Sequence, residues 1–260
     1  MIDGTINKNI FAIKKEEFKY DQKNLIKQIY THENKDLFLT LDNSIYMKGS
    51  SYTLQILEKY KMVVEKFEKM IRYLSVGKNH LLIFTGDQTL YSLGDNEYGE
   101  LGVEKLKYAS QPVKVDFFES LGEKIKKVSA GGRHSLVLTE NLKVYSFGDN
   151  SEGQCSGFEP ANFKPIKIKF PGKPKIIDIY SNYNHSIALS STGDVYSWGD
   201  TSQGKLGYVT GVSTQKTPKT IPFLNSKNIS NIFCGPNQTA IMTSTFDNSL
   251  VSNYTTIDNI

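Results

Sequence analysis

Two cysteines in 260 residues, Cys155 and Cys234, with no paired spacing, are too few and too far apart for a disulfide framework or a cysteine zinc site. No apolar run approaches the roughly 18 residues of a membrane helix, and "MIDGTINKNIFAIKKEEFKY" has no apolar core of signal-peptide length. Membrane insertion and secretion therefore lose weight, and a cytoplasmic or nuclear location is expected. Charge of one sign is also scarce in excess: 31 basic against 27 acidic residues leaves +4. That is too mild to point by itself to nucleic acid, which stays open but unfavoured. Missing too are G-x-S-x-G, H-E-x-x-H and a Gly-Lys-Ser/Thr phosphate loop. No catalytic residues, bound metal or cofactor are expected.

What the chain does have is an internal repeat. "VGKNHLLIFTGDQTLYSLGDNEYGELG" at 76–102 lines up with "AGGRHSLVLTENLKVYSFGDNSEGQCSG" from 130 and "SNYNHSIALSSTGDVYSWGDTSQGKLG" from 181. In each copy a histidine (His80, His134, His185) lies 14 residues before the glycine of a Gly-Asp pair: Gly94-Asp95, Gly148-Asp149, Gly199-Asp200. Two weaker copies flank these. Lys35 and Gly49 keep the spacing upstream, and Gln238 takes the histidine slot downstream, followed by a candidate strand "SLVSNY" at 249–254.

Each copy reads as β. A short apolar run, a turn rich in Gly, Asp and Asn, and a second run such as "VYSFG" make a hairpin. Runs such as "QPVKVDFF" and "EKIKKVSAG" supply two further strands. Four strands repeated about every 50 residues predict an all-β β-propeller with about five visible blade registers. Residues 1–24 form an N-terminal arm, 25–254 the repeats and 255–260 a tail. Residues 54–71 leave two readings open. Leu54, Leu57, Val64, Phe67 and Ile71 suit an amphipathic helix, whereas repeat register puts Met62 to Val64 on a strand.

The pairing of "AGGRHSLVL" with "VYSFGDN" or "VYSWGD" followed by "EGQ" or "QGKLG" resembles the regulator of chromosome condensation (RCC1) repeat family. The resemblance implies a propeller, most often of seven blades; at about 50 residues each these would need about 350, so the chain is short or divergent for the family. It also implies function by protein contact. The first expectation is a non-catalytic interaction scaffold, the alternative a guanine-nucleotide exchange factor for Ran or another small GTPase. The family's exchange factor holds the GTPase on one loop face, with acids in several of the turns before the histidine slot. In this chain the only acid in those turns is Glu33, which speaks against exchange.

Recurrence of one histidine per blade favours a structural role, because a metal or catalytic site needs different residue types converging on one point. The Gly-Asp loops likewise read as turn chemistry, with glycine for an unusual backbone and aspartate to cap it. Variation between copies is where function is expected. The turn residues Lys78, Asn79, Arg133, Tyr183, Asn184 and Asn237 are the candidate partner-binding loop face. A second candidate is the basic strand of Lys164, Lys167, Lys169, Lys173 and Lys175, which has no acid within it and would suit phosphate or an acidic surface.

Overall fold

The computed structural model describes residues 26–32, 35–49, 57–64, 67–224, 229–235, 237–243 and 255–256. The chain divides into two compact units, 1–68 and 69–260. The first unit contains one antiparallel sheet of β1 (Ile26–His32), β2 (Lys35–Thr40), β3 (Ile45–Gly49) and β4 (Leu57–Val64), in that order. Lys35 pairs with Gly49 across β2 and β3, so the 14-residue spacing reports a hairpin even where the histidine is gone.

Here one of the two readings of residues 54–71 falls. Its described part holds β4 and the start of β5, not a helix near 54–71. Val64 pairs with Ile45 and Met62 with Tyr46, as repeat register demands. Two irregularities in that pairing explain the misleading pattern, because each bulge breaks the period of two and leaves apolar spacing that mimics a helix.

The second unit repeats the same sheet. Its first copy is β5 (Ile71–Val76), β6 (His80–Thr85), β7 (Leu90–Asp95) and β8 (Tyr108–Lys114). A four-residue helix, α1 (Phe117–Ser120), leads to β9 (Ile125–Ala130), β10 (His134–Thr139), β11 (Val144–Asp149) and β12 (Ala161–Lys167). The third copy is β13 (Ile176–Asn182), β14 (His185–Ser190), β15 (Val195–Asp200) and β16 (Thr214–Thr220). The last comprises β17 (Ile229–Cys234), β18 (Thr239–Thr243) and β19 (Thr255–Thr256). Thr255 and Thr256, in the segment expected to be a tail, pair with Ile241 and Ala240. The candidate strand at 249–254 lies outside the described residues.

Within the second unit successive sheets pack face to face, which is why β10 and β14 are buried almost throughout rather than alternating: both faces are covered. Leu82, Phe84 and Leu90 meet Val128, Val137, Tyr145 and Phe147, closed off by Phe118 of α1. Leu136, Leu138 and Val144 meet Ile179, Ala188, Tyr196 and Trp198. Ile187 and Val195 meet Ile232 and Ile241. Each large side chain so buried contributes about 1.5–3 kcal/mol. The first strands of neighbouring sheets also touch, β5 on β9, β9 on β13 and β13 on β17. Their exposed edges are partly satisfied by side chains: the Ala130 amide donates to Ser75 Oγ at 2.9 Å, and the Ser181 amide to Ser129 Oγ at 2.9 Å. The chain is thus nearly all-β and built of propeller blades.

Candidate functional site

His80 pairs with Gly94, His134 with Gly148 and His185 with Gly199. This pairing places the turn before each histidine and the loop after each Gly-Asp at the same end of the sheet. A backbone bond locks them together. The amides of Asp95, Asp149 and Asp200 donate to the carbonyls of Asn79, Arg133 and Asn184, at 2.9, 2.8 and 2.9 Å. Gly148 shows why glycine is needed. Its φ is +109°, and a Cβ there would sit 2.5 Å from Arg133 O and 2.7 Å from the His134 Cα. The aspartates then cap: Asp149 Oδ1 accepts from the Ser151 amide at 2.9 Å and Asp200 Oδ1 from Ser202 at 2.8 Å.

The histidines staple sheet to sheet. His80 Nε2 lies 2.9 Å from Ser135 Oγ, His134 Nε2 2.8 Å from Ser186 Oγ and His185 Nε2 3.1 Å from Thr239 Oγ1, each on the following blade. Each of those hydroxyls donates its own proton to a backbone carbonyl: Glu100, Gln154 and Lys205, at 3.0, 2.8 and 3.0 Å. The hydroxyl therefore accepts from the histidine, which carries a proton on Nε2. Burial pushes the pKa of His134 down to about 3, helped by His185, and that of His185 down to about 3, helped by Lys205. With pKa values that low, the buried rings of His134 and His185 stay neutral near pH 7 and are not poised to exchange protons there.

On this clamped end the varied side chains meet. The Lys78 amide donates to Gly132 O at 3.1 Å and the Gly132 amide to Tyr183 O at 2.7 Å, joining turns of three successive blades. Gly132 permits the approach, since a Cβ there would lie 2.8 Å from Tyr183 O. Tyr183 has φ +37°, an uncommon backbone for an aromatic residue and a feature that concentrates at functional sites. Its ring lies under Lys78 Nζ, 5.5 Å from the centroid. Arg133 is exposed, its guanidinium carbon 4.9 Å above the ring of Tyr98. Asn79 and Asn184 are half-buried, and Asn237 is exposed in the corresponding turn of the last blade.

Sequence reasoning missed Tyr98 and Glu100, which treating the Gly-Asp loop as architecture hid from view. The signal was the 14-residue spacing itself, which brings that loop beside the turn. Glu100 is buried and accepts from the Tyr98 amide at 2.9 Å. Its pKa is raised by burial and by nearby Asp95, against a lowering pull from Arg133. Lys205, in the slot equivalent to Glu100, was missed as well; it is buried and ion-paired with Asp200 at 2.5 Å.

Of the five lysines only Lys164 lies towards this end. Lys164 lies on β12 and pairs with Glu104 at 3.0 Å. Lys167 ends the strand, so Lys169, Lys173 and Lys175 occupy the connection to β13. That connection is at the opposite end, where Lys175 O accepts from Ser191 in the β14–β15 turn. Between these lysines Ile168 is buried and Phe170 meets Trp198 edge-on. Among the described residues no group of three or more His, Cys, Asp or Glu is placed to hold a metal ion. No helix among them is long and apolar enough to cross a membrane.

Two profiles described as the regulator of chromosome condensation (RCC1) repeat match residues 125–154 and 176–205, and 87–138 and 192–242. The chain belongs to the RCC1-like repeat family. Within it, the human X-linked retinitis pigmentosa GTPase regulator is 33% identical over 171 residues, 65% of this chain and 15% of that protein. The human probable E3 ubiquitin-protein ligase HERC6 is 31% identical over 161 residues, 61% of this chain and 16% of that protein. The crystal structure of Prp20p from Saccharomyces cerevisiae superposes with a TM-score of 0.69 at 20% identity, covering 89% of this chain and 59% of that one. The chain therefore spans only a small part of the curated RCC1-like relatives and somewhat over half of the solved propeller. At that identity the structural likeness establishes the fold alone.

Proposed function

We propose that this chain is a non-catalytic protein-interaction scaffold that captures its partner on the end formed by Lys78, Asn79, Arg133, Tyr183, Asn184 and Asn237. The observation carrying this reading is the backbone relay from Lys78 through Gly132 to Tyr183. It holds residues from three blades in fixed relation, so a surface of tyrosine and cationic groups is preorganised before any partner arrives. Arginine and tyrosine are the residue types that dominate binding hot spots, and preorganisation removes part of the ordering cost of association. A pull-down with mass spectrometry, comparing wild type with Lys78→Glu/Arg133→Glu, tests it. Specific partners should be captured by the wild type and lost by the variant. Undiminished capture by the variant would overturn the reading.

A second reading, exchange on a small GTPase, draws on two names. One relative is called a GTPase regulator, and the structure of Prp20p was described together with its binding to Gsp1p and histones. Against it stands the scarcity of acids in the turns. Release of labelled GDP from Ran decides between the readings. Acceleration by substoichiometric protein would establish exchange, and no effect at stoichiometric excess would remove exchange on Ran. Contact with DNA and membrane is not part of either reading.

A further inference from the structure

Arg133 is held from two directions. Its carbonyl accepts from the Asp149 amide at 2.8 Å, and the neighbouring Gly132 amide is bonded to Tyr183 O at 2.7 Å, so its backbone is fixed by two blades. Its guanidinium lies on the face of Tyr98, contributed by the loop of the preceding blade. A guanidinium is planar and carries its N–H donors in a fixed fork, and contact with a ring restricts how that fork can turn. No carboxylate among the described residues lies within salt-bridge distance of it.

Tyr98 is itself pinned by Glu100, which accepts from its amide. The next blade shows that this bond does not need a charge. Gln154 stands in the equivalent slot, and its Oε1 accepts from the Glu152 amide at the same 2.9 Å. A carboxyl at position 100 therefore adds something the turn does not require, a buried acidic group that interacts electrostatically with Arg133.

The charge pattern around Arg133 defines what would dock. The described turns that follow the first strands carry Lys78 and Arg133 and no acid. The exposed carboxylates of this end, Glu97, Glu104 and Glu159, belong to the loops running out to the fourth strands. The outer loops mix these acids with exposed Lys105 and Lys107, and Lys164 pairs with Glu104, whereas the inner turns carry cations alone, complementary to an acidic segment laid across them. One arginine with one lysine beside it matches a carboxylate; a dianionic phosphate is ordinarily met by an arginine cluster.

We infer that Arg133, mounted on Tyr98 and oriented by Glu100, anchors a carboxylate side chain of an acidic segment in the partner protein, with Lys78 as the second cation. This rests on the reading of this end as the partner-binding surface. Arg133 is the contact residue, and Glu100 a positioning residue acting through it.

The test uses the isotope-labelled full chain and three synthetic peptides of equal length: alternating Glu-Asp, its Gln-Asn counterpart, and one in which phosphoserine replaces the acids. The Glu-Asp peptide should shift the Arg133 side-chain and Tyr98 amide signals saturably, and the Gln-Asn peptide should not. Arg133→Lys keeps the charge but loses the planar fork, so affinity should fall about tenfold. Neutralising Lys167, Lys169, Lys173 and Lys175 together should leave those shifts unchanged, which separates this site from attraction to the opposite end. Glu100→Gln should preserve the fold and weaken binding about threefold, with a shallower loss of affinity on acidification than wild type shows. Equal affinity of wild type and Arg133→Ala, an equal response to Gln-Asn, or tighter binding of the phosphoserine peptide would each overturn the assignment. If partner capture is lost on substituting Lys78 and Asn184 but survives Arg133→Ala, the anchor is wrong and the scaffold reading stands. If all three leave capture intact, that reading falls as well.

Discussion

His134 Nε2 donates to Ser186 Oγ across 2.8 Å, and this bond joins two blades whose sequences contain the same "HS" pair. Each histidine thus bonds the residue after the next blade's histidine slot, so the two-residue motif is one half of a staple and its neighbour's copy the other. Replacing His134 with Ala removes a buried hydrogen bond and leaves a cavity, and should cost about 3 kcal/mol. Gln, which occupies the slot in the last blade, should cost less. Urea unfolding followed by the fluorescence of Trp198, the chain's one tryptophan, measures both.

Acid should weaken the same staples. His134 and His185 have pKa values pushed down to about 3 by burial, below the ordinary value of 6.5. The unfolded chain therefore binds more protons than the folded one between those limits. Their contribution is complete above about pH 6.5 and is lost progressively as pH falls towards about 3, at up to about 1.4 kcal/mol per pH unit for each ring. Unfolding midpoints at pH 7.5 and 5 should differ accordingly, and the double His→Gln variant should show a flatter dependence. An equal pH dependence in the two proteins would refute the account.

Two glycines with similar backbones should respond differently to Ala. Gly148 at φ +109° would place a methyl 2.5 Å from Arg133 O, whereas Gly157 at φ +94° has nothing within 4 Å. Gly157→Ala carries only the left-handed strain of about 1–2 kcal/mol, and Gly148→Ala should exceed about 3 kcal/mol because backbone must move. Thermal melts read the difference directly. Gly148→Ala should also perturb the Arg133 signals.

The ion pair of Lys205 with Asp200 invites a double-mutant cycle. Asp200→Asn leaves a buried ammonium without its partner and should cost about 3 kcal/mol. Lys205→Gln installs the residue that stands beside Asp149 in the neighbouring blade and should be milder. The double variant should be more stable than Asp200→Asn alone, which chemical denaturation of the three proteins checks.

Much of the fold was legible because a repeat supplies its own internal comparison. Three copies with one spacing showed the hairpin, and the same spacing predicted the pairing of Lys35 with Gly49, where the histidine is absent. Residues 54–71 were ambiguous for a local reason: the bulges opposite Ile45 and Met47 erase the alternation that marks a strand. Only the long-range partner β3 selects the strand there.

The candidate site divides the same way. The sequence by itself determined that Lys78, Gly132 and Tyr183 stand at equivalent positions of successive copies, with Asn79, Arg133 and Asn184 at the next, because equivalence is a matter of register. It also led to the expectation that the histidines and Gly-Asp pairs serve the architecture, because one residue type recurs at one slot in every central copy. Only the tertiary structure decided that Lys78 lies over Tyr183 two blades away, that Arg133 rests on Tyr98, and that the lysines from 167 to 175 lie at the other end. Those relations depend on how blades pack face to face, and packing joins residues that no spacing along one chain can relate.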